Sequence, residues 1–288
     1  MKYSRVPWAL WAVLPVGGLA FHYGPGQRLF LDERAADLQR SADQLEREAM
    51  GQQGAAYAKH LEALQARRAA LLDPAPEAES RAREATEAES RAFQKASAAW
   101  KRAAEAFGQI QEAATHASPE TLQKIRWSRS RALVRAGDIW TGIAELESMI
   151  DEFERAGSAG SVLARATREE LASAYYYAAR LMRLSGDPAE EWLFESGKAR
   201  QHFRYLAEQA RAKGLGTEVA QNHERNVELV LDLEQSSLFE VQGKPLPKDS
   251  PLGRAGNRPG RGDGKRKRPP QQRDGRGAGG AEDVRTGW

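Results

Sequence analysis

The stretch LASAYYYAARLMRLSGDP, residues 171–188, decides how the rest of the chain is interpreted. Its alanine-rich part is typical of a helix, and the pair Gly186-Asp187 that follows is typical of a tight turn between two helices. Apolar residues recur every three or four positions before that turn, which predicts one packed helix face. They are Tyr175, Ala178, Ala179 and Met182.

The same arrangement occurs a second time, around the pair Gly137-Asp138. In three predicted helices a small residue is followed four positions later by a large apolar one, as expected where two helices pack closely. No segment alternates as a strand would, so the sequence predicts an all-α fold with helix breaks at residues 118–119, 136–138, 157–160, 185–188 and 213–216. Ser118 and Thr217 are the predicted helix caps. The small–large pairs are Ala103 with Phe107, Gly142 with Leu146, and Ala199 with Phe203.

Over roughly residues 80–212 this pattern resembles the tetratricopeptide repeat. In that family a small residue lets two antiparallel helices approach closely, and the pairs stack into a solenoid. The resemblance implies such a solenoid over residues 77–242 and a role in binding other proteins. The units depart from the family pattern, because Gly137 and Gly186 lie 49 positions apart where about 34 is usual. A third unit also requires an insertion at residues 188–198.

The three consecutive tyrosines are expected to divide between two helix faces, because successive helical residues point about 100° apart. Tyr175 is predicted to lie in the packed face. Tyr176 or Tyr177 is then expected to reach solvent or a concave surface, which makes these two the candidate partner-binding residues. Core packing of the tyrosines is the favoured interpretation, and a peptide-binding platform is the alternative. Of the small residues, Ala179 is predicted at a close helix contact and Ala207 outside one.

Residues 1–26 have the pattern of an export signal. Lys2 and Arg5 precede an uncharged run at residues 6–23, and its 18 residues are close to the lower limit for a membrane-spanning helix. We predict a signal anchor that leaves the bulk of the chain extracytoplasmic. A cleaved secretion signal and a buried N-terminal helix are the alternatives.

Residues 27–75 show coiled-coil-like spacing that predicts an antiparallel helical hairpin. The spacing is interrupted at residues 50–54, which include two glycines, and resumes until prolines at 74 and 76 end the helix. The expected seam consists of Leu31, Ala35, Leu38, Ala42, Leu45 and Ala49, then Tyr57, Leu61, Leu64, Arg68 and Leu71.

Residues 243–288 are rich in Gly, Pro and Arg and are predicted to be a disordered basic tail. Residues 244–288 carry a net charge of +7, whereas the rest of the chain carries −4. The high pI therefore belongs to the tail and does not predict a nucleic-acid-binding domain. The tail contains one basic cluster, Lys265, Arg266, Lys267 and Arg268.

The sequence contains no recognisable catalytic or cofactor-binding motif. It has no cysteine, and its five histidines do not have metal-ligand spacing. We therefore expect no enzyme, no cofactor and no metal site, but a membrane-anchored scaffold that binds protein partners of unknown identity. A coiled-coil-like envelope spacer is the alternative. A second, less favoured alternative is a cytoplasmic nucleic-acid-associated protein that acts through residues 253–276.

Overall fold

The computed structural model of the protein describes residues 25–114 and 117–243. Within these ranges the chain forms eight helices and no strand, which confirms the all-α prediction. Of the predicted anchor (residues 1–26) and the predicted tail (residues 243–288), residues 1–24 and 244–288 lie outside the described residues, whereas residues 25, 26 and 243 belong to the first and last helices. The helices are α1 (Pro25–Leu72), α2 (Pro76–Ala113), α3 (Pro119–Ala136), α4 (Ile139–Arg155), α5 (Val162–Leu184), α6 (Ala189–Ala212), α7 (Thr217–Gln235) and α8 (Leu238–Gly243).

Consecutive helices pack on one another along the chain. From α1 to α7, each helix makes its main contacts with the helix before it and the helix after it, and α5 also contacts α3 and α8. Short turns join most of these helices, so neighbours run antiparallel and the pairs stack in sequence order. This arrangement is compatible with the predicted stacking of antiparallel helix pairs.

The predicted interruption of the first helix at residues 50–54 is wrong. α1 continues through it for 48 residues, and the antiparallel hairpin consists of α1 and α2 rather than of residues 27–75. A Cβ at Gly51 or Gly54 would meet nothing within 4 Å, so these glycines face open space. Each costs about 1 kcal/mol of helix propensity, a cost offset by the contacts that neighbouring residues make with α2.

The seam between α1 and α2 matches small residues with large ones. Every seventh residue of α1 from 42 to 63 is a fully buried alanine, and every seventh residue of α2 from 93 to 107 is a buried aromatic. Ala42 packs with Phe107, Ala49 with Trp100, and Ala56 with Phe93. This strict seven-residue period is that of a coiled coil.

The predicted seam is therefore correct only in the first half of α1. Ala42 and Ala49 belong to it, but Leu61 is 36% exposed and Leu71 is 70% exposed. Because the helix is continuous, the seven-residue period continues to Ala56 and Ala63 instead of restarting at Tyr57.

Polar residues fill the remaining layers of the hairpin. Glu89, which is fully buried, accepts from His60 Nδ1 over 2.6 Å and from Arg67 over 3.1 Å. The indole of Trp100 donates to the buried amide oxygen of Gln53. Such layers favour one register of the two helices, because any slip would leave buried polar groups without these partners.

Most predicted helix ends are confirmed. The Ser118 hydroxyl accepts from the Thr121 amide over 3.2 Å and caps α3. Gly137 and Gly186 have φ values of 93° and 73°, the left-handed conformation that glycine adopts without strain. The prediction of Thr217 as a cap is wrong. Gly216, with a φ of 107°, occupies that position, and Thr217 is the first helical residue.

Helix α5 lies at the centre of the fold. Every residue from Leu171 to Met182 is buried, because α3, α4, α6 and α8 all contact this helix. A helix buried on all sides is apolar around its whole circumference, which accounts for the run of tyrosines and alanines. The predicted insertion at residues 188–198 is wrong, because α6 begins at Ala189 and buries Trp192 in its first turn.

No described helix combines the length and the apolar composition that a membrane span requires.

Candidate protein-binding surface

The two tyrosines predicted as partner-binding residues are in the core. Tyr176 is 2% exposed and Tyr177 is fully buried, so the expectation that one of them reaches solvent is wrong. Burial raises the pKa of Tyr176 above its usual value despite the opposing effect of Arg180. The favoured interpretation, core packing of the tyrosines, is confirmed. Lys265, Arg266, Lys267 and Arg268 lie outside the described residues.

The exposed aromatic residues of the described structure lie on α6 instead. Phe194 is 53% exposed and Tyr205 is 39% exposed. They are separated by eleven positions, or three helical turns, so both rings project from the same face of α6 about 16 Å apart. Leu193, beside Phe194, is 42% exposed. Isolated exposed apolar residues are common, but large aromatics aligned on one helix face are typical of a binding surface.

An open groove of about 580 Å³ lies along residues 197–208 of α6, and of the two exposed aromatics only Tyr205 lines it. We call it the α6 groove. Three arginines and one glutamate contribute charge to its lining, and the side chain of Tyr205 forms part of its wall. The lining residues are Arg168, Gly197, Arg200, Gln201, His202, Arg204, Tyr205 and Glu208.

Tyr205 is held in place by Arg168 of α5. The Arg168 guanidinium lies 4.3 Å from the centre of the Tyr205 ring, a cation–π geometry. The same guanidinium donates to Glu154 of α4 over 2.7 Å and contacts His202 Nδ1 at 3.3 Å. Three helices therefore fix one end of the groove.

Phe194 is held in a similar way by Lys198. The ammonium group lies 4.9 Å from the centre of the Phe194 ring and 4.6 Å from that of Tyr175. It also lies 3.3 Å from the Tyr175 hydroxyl, which donates to Glu147 of α4. The other end of the surface is thus fixed by the same three helices.

His202 lies between these two cations. Its ring stacks on Tyr175, with 5.8 Å between ring centres and an angle of 5° between planes. Burial, together with the nearby charges of Arg168 and Lys198, lowers the pKa of His202 from 6.5 to about 4. The imidazole is therefore neutral at pH 7, because burial and the two neighbouring cations all disfavour its protonation.

Comparison with protein-family models, with curated proteins and with solved structures finds no match for this chain.

The cations of the α6 surface contact aromatic rings and carboxylates. No group of three or more Asp, Glu or His among the described residues could hold a metal ion. Sequence reasoning missed this surface because it took residues 188–198 for an insertion. The spacing of Phe194, Gln201 and Tyr205 on one helix face was the signal that could have revealed it.

Proposed function

We propose that this protein is a non-catalytic, membrane-anchored helical scaffold that binds a protein partner through the α6 surface at the cell envelope. The supporting observation is that Phe194 and Tyr205 are both exposed on the same face of one helix. Each ring is pinned by a cation that other helices hold in place. Large aromatics contribute much of the energy of protein–protein interfaces, and rigid ones lose little entropy on binding.

The tetratricopeptide-like resemblance supports the same proposal. The small residues Gly142 and Ala199 and the large residue Phe203 are buried where that pattern requires it. Gly-Asp pairs make the turns before α4 and α6. Stacked helix pairs of this kind offer extended surfaces to other proteins without any catalytic group.

Membrane attachment rests on residues 1–26 of the sequence. The charges of Lys2 and Arg5 before the uncharged run favour an N-terminus inside the cytoplasm and a body outside it. A reporter enzyme fused after Trp288 tests this part of the proposal. Activity of a reporter enzyme that works only outside the cytoplasm supports the anchor. Activity of a reporter that works only in the cytoplasm, together with a soluble native chain, contradicts it.

Site-specific photo-crosslinking in cells tests the binding surface. A photoreactive amino acid at position 194 is expected to give a crosslinked protein adduct that Tyr205→Ala weakens. The control is the same amino acid at position 83, an exposed site on α2. Absence of an adduct at position 194, or equal adducts at both positions, contradicts the proposed surface.

One observation favours the spacer alternative. Ser97 of α2 donates to the carbonyl of Ala136, the last residue of α3, so the hairpin continues past the end of α3. Residues 76–97 of α2 span about 30 Å of helix. A hairpin of that length could hold two structures apart.

Shortening the hairpin by one paired heptad distinguishes the spacer from the scaffold. Ala56 faces Phe93 in the antiparallel seam, so deletion of residues 57–63 together with 86–92 preserves the pairing. A scaffold should keep its crosslink at position 194 after this deletion. A spacer should lose its function in cells after the deletion but tolerate Tyr205→Ala.

A further inference from the structure

We infer that two copies of this chain bind each other through their α1–α2 hairpins, which lie antiparallel along a partly exposed apolar face of α1. The inference goes beyond the proposed function, because it concerns a different surface from that of α6. We call this face the second stripe of α1. Its members are Met50, Gly54, Tyr57, Leu61, Leu64, Arg68 and Leu71.

The second stripe has the spacing of a coiled-coil seam. Its members are separated alternately by four and three positions, the repeat that lets two helices pack side by side along their length. Tyr57 follows the buried Ala56 of the α1–α2 seam by one position, and Leu64 follows the buried Ala63 in the same way. The stripe therefore runs beside that seam with the same seven-residue period, about 100° around the helix.

Large apolar side chains of the second stripe are exposed to solvent. Met50 is 48% exposed, Leu61 is 36% exposed and Leu71 is 70% exposed. Helix α2 is the only described helix with which α1 makes more than marginal contact, and it packs on the alanine seam. Isolated apolar residues on a surface need no partner, but apolar residues aligned with coiled-coil spacing indicate a second helix.

The second stripe is complementary to itself when two copies lie antiparallel. Leu61 of one copy then faces Leu64 of the other, and the symmetry of the pair repeats this leucine contact. The same register places Leu71 opposite Gly54 of the other copy. A Cβ at Gly54 would meet nothing within 4 Å, so the glycine leaves room for the leucine side chain.

Arg68 favours the antiparallel over the parallel arrangement. It is exposed and forms no hydrogen bond or ion pair with the described residues. In the antiparallel register it lies opposite Tyr57 of the other copy, where a guanidinium can stack on the face of the ring. In a parallel pair the two Arg68 side chains would meet, and their like charges would repel each other.

The length of the free hairpin fits the same register. Ser97 of α2 contacts the end of α3, and the pairing of Ala56 with Phe93 places it opposite residue 52 of α1. Residues 53–72 of α1, about 30 Å of helix, therefore project past α3 with α2 as their neighbour. In the antiparallel register residue 53 of one copy lies opposite residue 72 of the other. The two copies thus overlap along the whole free hairpin, and the overlap stops before α3.

Sedimentation velocity of the full chain, in a mild detergent with micelles in large excess, tests the association. The overlap is short, so we expect a monomer–dimer equilibrium with a dissociation constant on the order of 1–100 μM. Leu71→Glu places a charge in the contact and is expected to raise this constant by about tenfold or more. Ala69→Glu adds the same charge at an exposed site on the other side of α1 and should leave it within about twofold. Circular dichroism checks that both variants keep the helical fold.

Cysteine crosslinking tests the register, because the chain has no cysteine of its own. Gly54→Cys and Leu71→Cys are prepared separately and oxidised alone and after mixing. In the antiparallel register the two positions face each other within disulfide distance, so linked dimers should form in the mixture only. The control is Gln52→Cys, exposed on the opposite side of α1, which should give no linked dimer with Leu71→Cys.

The inference is overturned if the chain stays monomeric up to about 100 μM, or if Leu71→Glu and Ala69→Glu change the dissociation constant equally. It is also overturned if the mixture of Gly54→Cys and Leu71→Cys links no better than the control. Crosslinking of each cysteine variant with itself, the result expected of a parallel pair, overturns it too. None of these variants lies on α6, so the photo-crosslink at position 194 tests the proposed function independently of these outcomes.

Discussion

Gly142 of α4 lies so close to Val134 of α3 that a methyl group on the glycine would be 2.6 Å from Val134 Cγ2. The same methyl group would be 3.0 Å from the carbonyl oxygen of Ser130 and 3.1 Å from the amide nitrogen of Val134. Two of these three atoms belong to the backbone, which cannot move aside without displacing the helix. The α3–α4 crossing therefore requires a residue without a side chain.

Gly142→Ala is expected to destabilise the protein. Overpacking typically costs about 1–3 kcal/mol, and better helix propensity recovers about 1 kcal/mol. We expect a net loss of up to about 2 kcal/mol, measured by urea unfolding, and a larger loss for Gly142→Leu. The control is Gly54→Ala in α1, where a Cβ meets nothing and stability should rise by up to about 1 kcal/mol. Equal stability of Gly142→Ala and the parent would mean that the helices are not in tight contact there.

Ala179→Leu is expected to destabilise the protein by about 1–3 kcal/mol, because Ala179 is fully buried in α5 and the added side chain has no space. The prediction that Ala207 lies outside a helix contact is wrong, since Ala207 is only 4% exposed and cannot serve as a control. Ala144→Leu, at an exposed position of α4, is the matched substitution. Similar unfolding midpoints for Ala179→Leu and Ala144→Leu would contradict the central position of α5.

The ion pair between Arg135 and Glu170 joins α3 to α5. The two side chains are 3.0 Å apart and are 7% and 4% exposed. Arg135→Met should cost about 3–5 kcal/mol, because the Glu170 carboxylate stays buried without this cation. The double variant with Glu170→Met should be more stable than Arg135→Met alone. A double-mutant cycle with no coupling between the two sites would show that the pair does not hold α3 to α5.

The pKa of His202 predicts a specific loss of stability in acid. The pKa is about 4 in the folded protein and about 6.5 in an unfolded chain. Between these values only the unfolded chain takes up the proton, which favours unfolding. The contribution of neutral His202 to the free energy of unfolding is therefore complete above pH 6.5 and is lost as the pH falls towards 4. Its size is on the order of 3 kcal/mol.

The measurement for His202 is urea unfolding at pH 7.5 and at pH 4.5. The parent should lose more stability than His202→Gln over this interval, because glutamine does not titrate. Other titrating groups act on both proteins and cancel in the comparison. An equal loss in parent and variant would show that His202 does not resist protonation.

The end of the ordered helices can be located by truncation. Removal of residues 244–288 should leave the unfolding midpoint unchanged, because these residues carry no apolar periodicity. Removal of residues 238–288 should cost about 1–3 kcal/mol, since Val241 is fully buried and its carbonyl accepts from the buried Arg180. Equal midpoints for both truncations would show that α8 contributes nothing to the fold.

Local sequence signals predicted the helices and most of their ends. Ser118 caps α3 and Gly137 ends it because capping and left-handed turns depend on a few adjacent residues. The same locality explains the errors at residues 50–54 and 188–198. Glycines and a proline weaken a helix where they stand, but contacts with a neighbouring helix can outweigh the penalty, and those contacts are not local.

The sequence by itself determined that the chain is all-α, where its turns fall, and that Gly142, Ala179 and Tyr175 belong to packed faces. Only the tertiary structure decided which face of each helix is exposed. Burial depends on how many neighbours surround a helix. The four helices that contact α5 bury Tyr176 and Tyr177. Helix α6 packs chiefly on α5 and α7, which leaves Phe194 and Tyr205 exposed to solvent.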